Sequence, residues 1–359
     1  MNGGVMASQR AGIDATTDQN TGEVAFLSAG GQKFPLPVEW KQYASTEFTK
    51  APDPVFSTLV GTYPSMFSFS VVRVDHIPGA LGKYYAYYST EHDPGDGGVA
   101  MAYADSPLGP WTDYGQVFVD ATRSYATNTQ TEGPAVLVDA DGSLRMYYQI
   151  IAASLGGVNA QGIQSTLSAT SADGLTWEFD VDFIVDVPKN GRMNGNGHMG
   201  YFQPFMIDGR WVAYSLMGSG DYHGDAIHYC NGPLDDWTTD PRRLGWHIPK
   251  CDMGDAVERH ITWHGSFAVR KNGAPYLIAL LSDFISGGAA SNRYIAIARL
   301  AEDLRTPLDN FKSIWTPTEA WESRNLYGMT PYVEGNTLYL YYITKVDTTY
   351  SVGVISNVL

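Results

Sequence analysis

The chain has little of what a membrane-spanning, nucleic-acid-binding or disulfide-stapled protein needs. Only two of its 359 residues are cysteine, Cys230 and Cys251. Two are too few for a disulfide framework, and their spacing does not say whether they pair. No run approaches the ~20 apolar residues that cross a bilayer. Residues 1–10 lack the basic-then-apolar signature of a secretory leader, which leaves the location open between the cytoplasm and the surface of a larger particle. Basic residues are scarce as well: 23 Lys+Arg against 38 Asp+Glu give a net charge of −15, the wrong sign for a nucleic-acid surface. Charged residues make up only 17% and hydrophobic ones 44%, which excludes general disorder. Helical periodicity is absent too. What the chain does have is 23 Tyr, 14 Phe, 9 Trp, 38 Gly and 19 Pro, the composition of a β-rich protein full of turns.

Those aromatics repeat. Tyr-rich segments recur around Tyr85, Tyr147, Trp211, Tyr276 and Tyr339, at intervals of 62, 64, 65 and 63 residues. Most follow a tight turn: Asp141-Gly142, Asp208-Gly209, Asn272-Gly273 and Glu334-Gly335-Asn336. Such turns between alternating strands are strong hairpin signals. A later turn ends in an aromatic at Trp111, Trp177 and Trp237, and a degenerate copy runs from Leu304 to Phe311. Four strands at a fixed period are one propeller blade, so the pattern predicts an all-β, five-bladed β-propeller. The catalytic propeller domain is expected over residues 61–359, preceded by an N-terminal segment over 1–60. The fifth repeat stops after its third strand, so a strand from that segment, placed at Glu23–Ser28, is expected to complete the blade and protect its edge. The aromatic-terminated turns are expected between blades.

Propeller topology also sorts residues by face. Loops entering each inner strand, and those joining second to third strands, share one face. That face collects Asp53, Glu132, Asn196, His198, His260, His264 and Tyr327, then Glu91, His92, Asp93 and Asp96, then Asp221, His223, Asp225 and Asp283. Six of the eight histidines fall there if His247 is included, in long Gly-rich loops of the kind that carry function on a rigid scaffold.

At Tyr84-Tyr-Ala-Tyr-Tyr-Ser89, Ala104-Asp-Ser-Pro-Leu-Gly-Pro-Trp111, Glu132-Gly-Pro134, Ser171-Ala-Asp-Gly-Leu-Thr-Trp177 and Trp263-His-Gly-Ser266, the chain resembles the five-bladed propeller glycosidases of the arabinanase, β-xylosidase and invertase superfamily. The resemblance implies hydrolysis of a glycan by carboxyl groups at the propeller centre. Glu132-Gly-Pro resembles the family's general-acid motif, which in the family stands in the third blade. Here the third blade reads Phe202-Gln203-Pro204. In the first blade a Ser stands where the family has an Asp. His264 resembles a central histidine that holds a structural cation or water.

Hydrolysis ordinarily needs two carboxyls flanking the bond. Glu132 is the expected acid. Asp53, Asp221, Asp225 and Asp283 compete for the base, with His198 and His264 orienting substrate, water or a cation. Gln203, Asn196, His260, Tyr327, Trp263, His223 and Asp283 are the expected substrate contacts. The chemistry requires no cofactor; a structural Ca²⁺ near the axis is compatible with the sequence, its ligands unknown, and the oxygen and imidazole groups of residues 91–96 and 221–225 would suit Ca²⁺ or, through their histidines, Zn²⁺ or Mn²⁺. The expected partner is a carbohydrate, without nucleic acid or membrane. A homo-oligomer, or attachment to a larger particle through the N-terminal segment, is compatible with the polar start of the chain. Two other readings stand beside hydrolysis. One is a polysaccharide lyase using His198, His264 or Tyr327, with Arg192, Arg259 and Arg293 supplying scarce positive charge. The other is a non-catalytic glycan-binding propeller.

Overall fold

A computed structural model describes residues 13–17, 24–29, 32–35, 48–59, 65–91, 97–120, 131–151, 154–155, 158–159, 164–185, 198–219, 222–240, 253–254, 257, 259–283 and 292–359. Every regular element among them is a strand. Blade I comprises Ser70–Arg73, Tyr84–Ser89, Val99–Ala104 and Thr112–Phe118. Blade II comprises Thr131–Val138, Leu144–Ile151, Gln164–Ser171 and Glu178–Val185. Blade III comprises His198–Ile207, Arg210–Ser219, Tyr222–Cys230 and Trp237–Thr239. Blade IV comprises Arg259–Lys271, Ala274–Asp283, Arg293–Arg299 and Lys312–Ser313. Blade V takes Leu326–Glu334, Thr337–Val346 and Thr349–Val358 from the end of the chain. Strands within a blade are antiparallel, and the five inner strands touch in cyclic order, the fifth meeting the first. The chain is a five-bladed β-propeller.

An N-terminal segment does close the ring, but not the one expected. Thr49–Lys50 and Phe56–Leu59 pair with Thr349–Val358 as the outer strand of blade V. Val24–Ala29, which contains most of the predicted closing strand, instead pairs with Ile13–Thr17 and Gln32–Pro35 in a separate three-stranded sheet. The reason is apolar anchoring. Phe56 is buried and meets Phe69 and Tyr88 of blade I at centroid distances of 5.7 and 5.3 Å, so the closing segment wedges a ring between the last blade and the first. Residues 24–29 meanwhile find strand partners close in sequence, where loop closure costs least.

The tyrosine repeat is an inter-blade bonding system. Pairing registers put Tyr87, Tyr147, Tyr214 and Tyr341 at one level, opposite Ser70, Ala135, Gln203 and Thr330 of their inner strands. Each phenol donates to a carbonyl in the aromatic-terminated turn of the next blade: Tyr87 to Gly174 (2.9 Å), Tyr147 to Leu234 (2.5 Å), Tyr214 to Leu304 (2.7 Å) and Tyr341 to Pro107 (2.7 Å). Trp177 and Trp237 pack edge-on against Tyr87 and Tyr147, at 5.4 and 5.9 Å, and Trp111 against Phe69 at 5.4 Å. The aromatic turns thus lie between blades as expected. An aromatic pair of this kind adds about 0.5–1.5 kcal/mol beyond its burial. Blade IV has Ala279 at the tyrosine level, and there the cores of blades III, IV and V run together in one hydrophobic cluster.

Candidate functional site

The inner strands are interrupted at the same height. In blade II the pairing jumps from Glu132↔Gln149 to Ala135↔Tyr147, and in blade III from Gly200↔Leu216 to Gln203↔Tyr214. In blade I, Ser89 N–H donates to Phe67 at 3.0 Å before Ser70↔Tyr87 begins. Blades IV and V break register between Ile261 and Ser266 and between Leu326 and Gly328. A bulge re-aims the side chains around it. The backbone turns left-handed at Ser68 (φ 62°), Gly133 (φ 64°) and Tyr201 (φ 51°). Strained non-glycine residues of this sort persist only where the surroundings hold them. The registers make Phe67, Glu132 and Gly200 equivalent residues of three successive blades. Of the three, only Glu132 carries a carboxyl.

Glu132 has no exposed surface. Its Oε1 accepts a short hydrogen bond from Gln149 Nε2, with Tyr201 Oη 3.4 Å away. Gln149 is itself anchored, because its Oε1 accepts from the Tyr201 backbone N–H at 2.8 Å. Gly133 N–H donates to Ser89 Oγ at 2.8 Å, which fixes the backbone beside Glu132. The Tyr201 phenol is pushed well above its ordinary pKa, by burial first and then by the neighbouring Glu132 charge, so it remains a donor. Phe67 packs edge-on to Tyr201 at 6.2 Å, and Tyr327 packs against the same small cluster.

Gly200 explains the missing carboxyl of blade III. A Cβ there would lie 1.7 Å from Gln149 Oε1 and 2.8 Å from its Cδ. The space that a side chain would need is filled by the amide that holds Glu132.

A second group forms where the same face crosses blades IV and V. Asp283 ends the second strand of blade IV and pairs with Arg259 at 2.9 Å. It also accepts from Tyr294 Oη (3.2 Å) and Asn292 (3.3 Å). The Arg259 and Arg324 guanidinium carbons each lie 4.9 Å from the Tyr294 ring centroid. Arg293 lies 5.9 Å from the Tyr327 ring, and Lys345 Nζ lies 5.7 Å from the same ring. Lys345 also donates to Tyr350 Oη at 3.1 Å, and that bond first of all raises its pKa. Burial lowers that of Arg293.

Not every expected residue is here. Asp53 is exposed between the two closing segments, on the outermost strand of blade V and away from the axis. The sequence places it among the residues entering the inner strands, but the chain closes the ring before it reaches the axis. Gln203 borders a cavity of about 530 Å³ at the opposite end of the axis, lined mainly by Val71, Leu137, Phe205, Phe267 and Val333, and its amide donates to Pro204 O at 3.3 Å. It does not touch Glu132. Asp221 and Asn196 lie outside the described residues, as do His92, Arg192 and His247. His198, His223, His260, Trp263 and His264 sit on strands of the expected face, and Asp225 is on the same strand as His223; the side chains of these six lie outside the described residues. Among the described residues no cluster of His, Cys, Asp and Glu could hold a metal. Sequence reading missed Gln149, Tyr201, Arg324 and Lys345. The alignment of the blades by bulge rather than by turn would have exposed the first two.

No protein-family model and no curated protein matches the chain. Solved structures do. An N-acetylgalactosamine deacetylase from F. plautii, in complex with blood group B trisaccharide, superposes with a TM-score of 0.59 at 11% identity, over 87% of this chain and 96% of its own. An endo-arabinase from Bacteroides thetaiotaomicron gives 0.54 at 13%, over 82% and 94%. A Bombyx mori GH32 β-fructofuranosidase gives 0.53 at 11%, over 81% and 58%. This chain has the fold of the five-bladed glycosidase propellers. At these identities the likeness is one of fold.

Proposed function

We propose that the protein is a glycan-active enzyme, a glycoside hydrolase whose general acid is Glu132. The observation that carries this reading is the position of Glu132. It is the one carboxyl at the bulge level of the first three blades, clasped by Gln149 and Tyr201, in a fold shared with an N-acetylgalactosamine deacetylase and an endo-arabinase. In the reaction Glu132 gives its proton to the glycosidic oxygen as the C1–O bond breaks. A water then adds at C1, and a base takes its proton. With Asp53 on the rim, Asp283 is the base candidate whose contacts are described; Asp225, on the strand Tyr222–Cys230, and Asp221, outside the described residues, remain candidates from the sequence. Because Glu132 is fully covered, a leaving-group oxygen reaches it only after part of that cover moves aside.

Reducing-end release from a panel of plant, algal and bacterial glycans tests the proposal. Wild type should release reducing ends, and Glu132→Gln should lower the rate by at least about 100-fold, within the range of general acid catalysis. Release that Glu132→Gln leaves unchanged refutes the role of Glu132. A second reading, lyase chemistry, draws on the cations around Tyr327. In it the phenol removes the proton α to a uronate carboxylate and the C4–O bond breaks to leave an unsaturated sugar. Ultraviolet absorbance of the products at the unsaturated uronate band separates the two.

A further inference from the structure

On the face of Glu132, blades IV and V bring together four cationic side chains with one carboxylate among the described residues. Arg259, Arg293, Arg324 and Lys345 all come from strand ends or inner-strand entries on the face of Glu132. Among the described residues one carboxylate, Asp283, stands with them, and its bond is to Arg259. Arg293 gives a short hydrogen bond to the Leu326 carbonyl, Lys345 bonds the Tyr350 phenol, and Arg324 sits against the Tyr294 ring. None of these three has a carboxylate partner among the described residues. Charges that are partly withdrawn from water without a counter-ion favour an anion that supplies one. A solvated surface would let these side chains point outward. Here Arg293 and Arg324 are only partly exposed and are laid on aromatic rings.

The patch is also joined to the Glu132 site. Tyr327, which carries Arg293 and Lys345, packs against the cluster of Phe67 and Tyr201, and Tyr201 reaches Glu132. A sugar ring could stack on an aromatic face while an acidic substituent met the guanidinium and ammonium groups. Planar guanidinium groups suit the two oxygens of a carboxylate especially well.

We propose that this patch is a subsite for an anionic sugar residue, so that the glycan handled at Glu132 is an acidic one, a uronate or a sulfated sugar. The inference rests on the glycan-active reading above, but its test does not require turnover.

Titration calorimetry on the full chain would compare oligogalacturonate with the same oligosaccharide after its carboxyls are reduced to alcohols, and with a sulfated oligosaccharide. The protein would be the wild type, Arg324→Gln, Lys345→Gln and the double variant. Lys345 donates to the Tyr350 hydroxyl, so thermal melts would verify that each variant is folded. The expected result is acidic oligosaccharide bound at least about tenfold tighter than the reduced one. That preference should weaken with added salt and be lost in the double variant. Preference for the sulfated ligand alone supports the subsite and assigns it to sulfate. Equal affinity for acidic and reduced ligands, or a preference that survives in the folded double variant, overturns the proposal. A preference lost in the double variant, together with turnover indifferent to Glu132→Gln, would uphold the subsite while removing the hydrolase reading.

Discussion

Gly200→Ala gives the sharpest check on the site's construction, because it adds one methyl group and needs no knowledge of the substrate. The new Cβ would stand 1.7 Å from Gln149 Oε1, so the amide must leave. Its departure breaks two contacts: the 2.8 Å bond from Tyr201 N–H to Oε1 and the short bond from Nε2 to Glu132. Each buried group left unsatisfied costs about 1–3 kcal/mol. A small gain of about 0.5–1 kcal/mol from replacing glycine in a strand partly offsets this. The net expectation is roughly 3 kcal/mol of destabilisation. For a chain of this length that amounts to a fall in Tm of about 4 °C. Circular dichroism melts would read it, and Gln149→Ala supplies the control. Once the long amide is gone, the contact left from that side chain is the Cβ of residue 149 at 3.3 Å, which a small shift relieves, so Gly200→Ala combined with Gln149→Ala should melt within about 1 °C of Gln149→Ala alone. A single variant that melts like wild type, or two effects that simply add, would refute the steric account of why blade III carries no carboxyl.

Two other sites give predictions of a different kind. His228 is fully buried between Ser215 Oγ (2.7 Å) and Thr239 Oγ1 (3.0 Å), and desolvation lowers its pKa to about 3. The folded state therefore keeps the ring neutral while the unfolded chain protonates near 6.5. Its stabilising contribution is complete above that pH and is lost as pH falls toward 3, at up to about 1.4 kcal/mol per pH unit. His228→Gln should flatten the wild type's stability loss between pH 6.5 and 4 in urea titrations, and an unchanged slope would refute it. Glu322 is buried, and burial opposes its charge. The bonds from Lys50 (2.7 Å), Tyr342 Oη (2.5 Å) and the N–H groups of Thr318 (2.7 Å) and Glu319 (3.1 Å) nonetheless hold its carboxyl below the usual range. Lys50 belongs to the closing strand, so Glu322→Ala should cost about 3–5 kcal/mol and raise protease cleavage near residue 50. Cleavage and melting like those of wild type would count against this latch.

The propeller was legible because each blade repeats its turns, and turns are written in local sequence: Asp141-Gly142 or Pro233-Leu234 needs no distant partner to be recognised. The closing strand was not legible. Residues 24–29 read as a strand, and they are one, but pairing is decided by what lies alongside, and Phe56 packs between blades V and I. At the site, Glu132 stood out through its Glu-Gly-Pro sequence. Gln149 did not, since its role appears only when it is paired across the strand and when Gly200 of the next blade vacates room for it. Arg324 and Lys345 were hidden for a related reason. They are 21 residues apart and meet around tyrosines from two blades.

This arrangement constrains where a second catalytic group can come from. In blade I the position equivalent to Glu132 is Phe67, buried against Tyr201, and in blade III it is Gly200, whose space Gln149 occupies. A carboxyl in either place would displace part of the clasp that orients Glu132. The bulge level therefore cannot supply the symmetric set of acids that a ring of like blades invites. Any partner to Glu132 has to reach in from a strand end. Of the described residues considered for the base, Asp283 does so, on the side of the axis where Arg293, Arg324 and Lys345 stand without a carboxylate partner among the described residues. With Glu132 as the proposed acid and the proposed anion subsite beside it, an acidic polymer would lie across the mouth of the propeller, the bond to be broken over Glu132 and its charged substituent over Arg324 and Lys345.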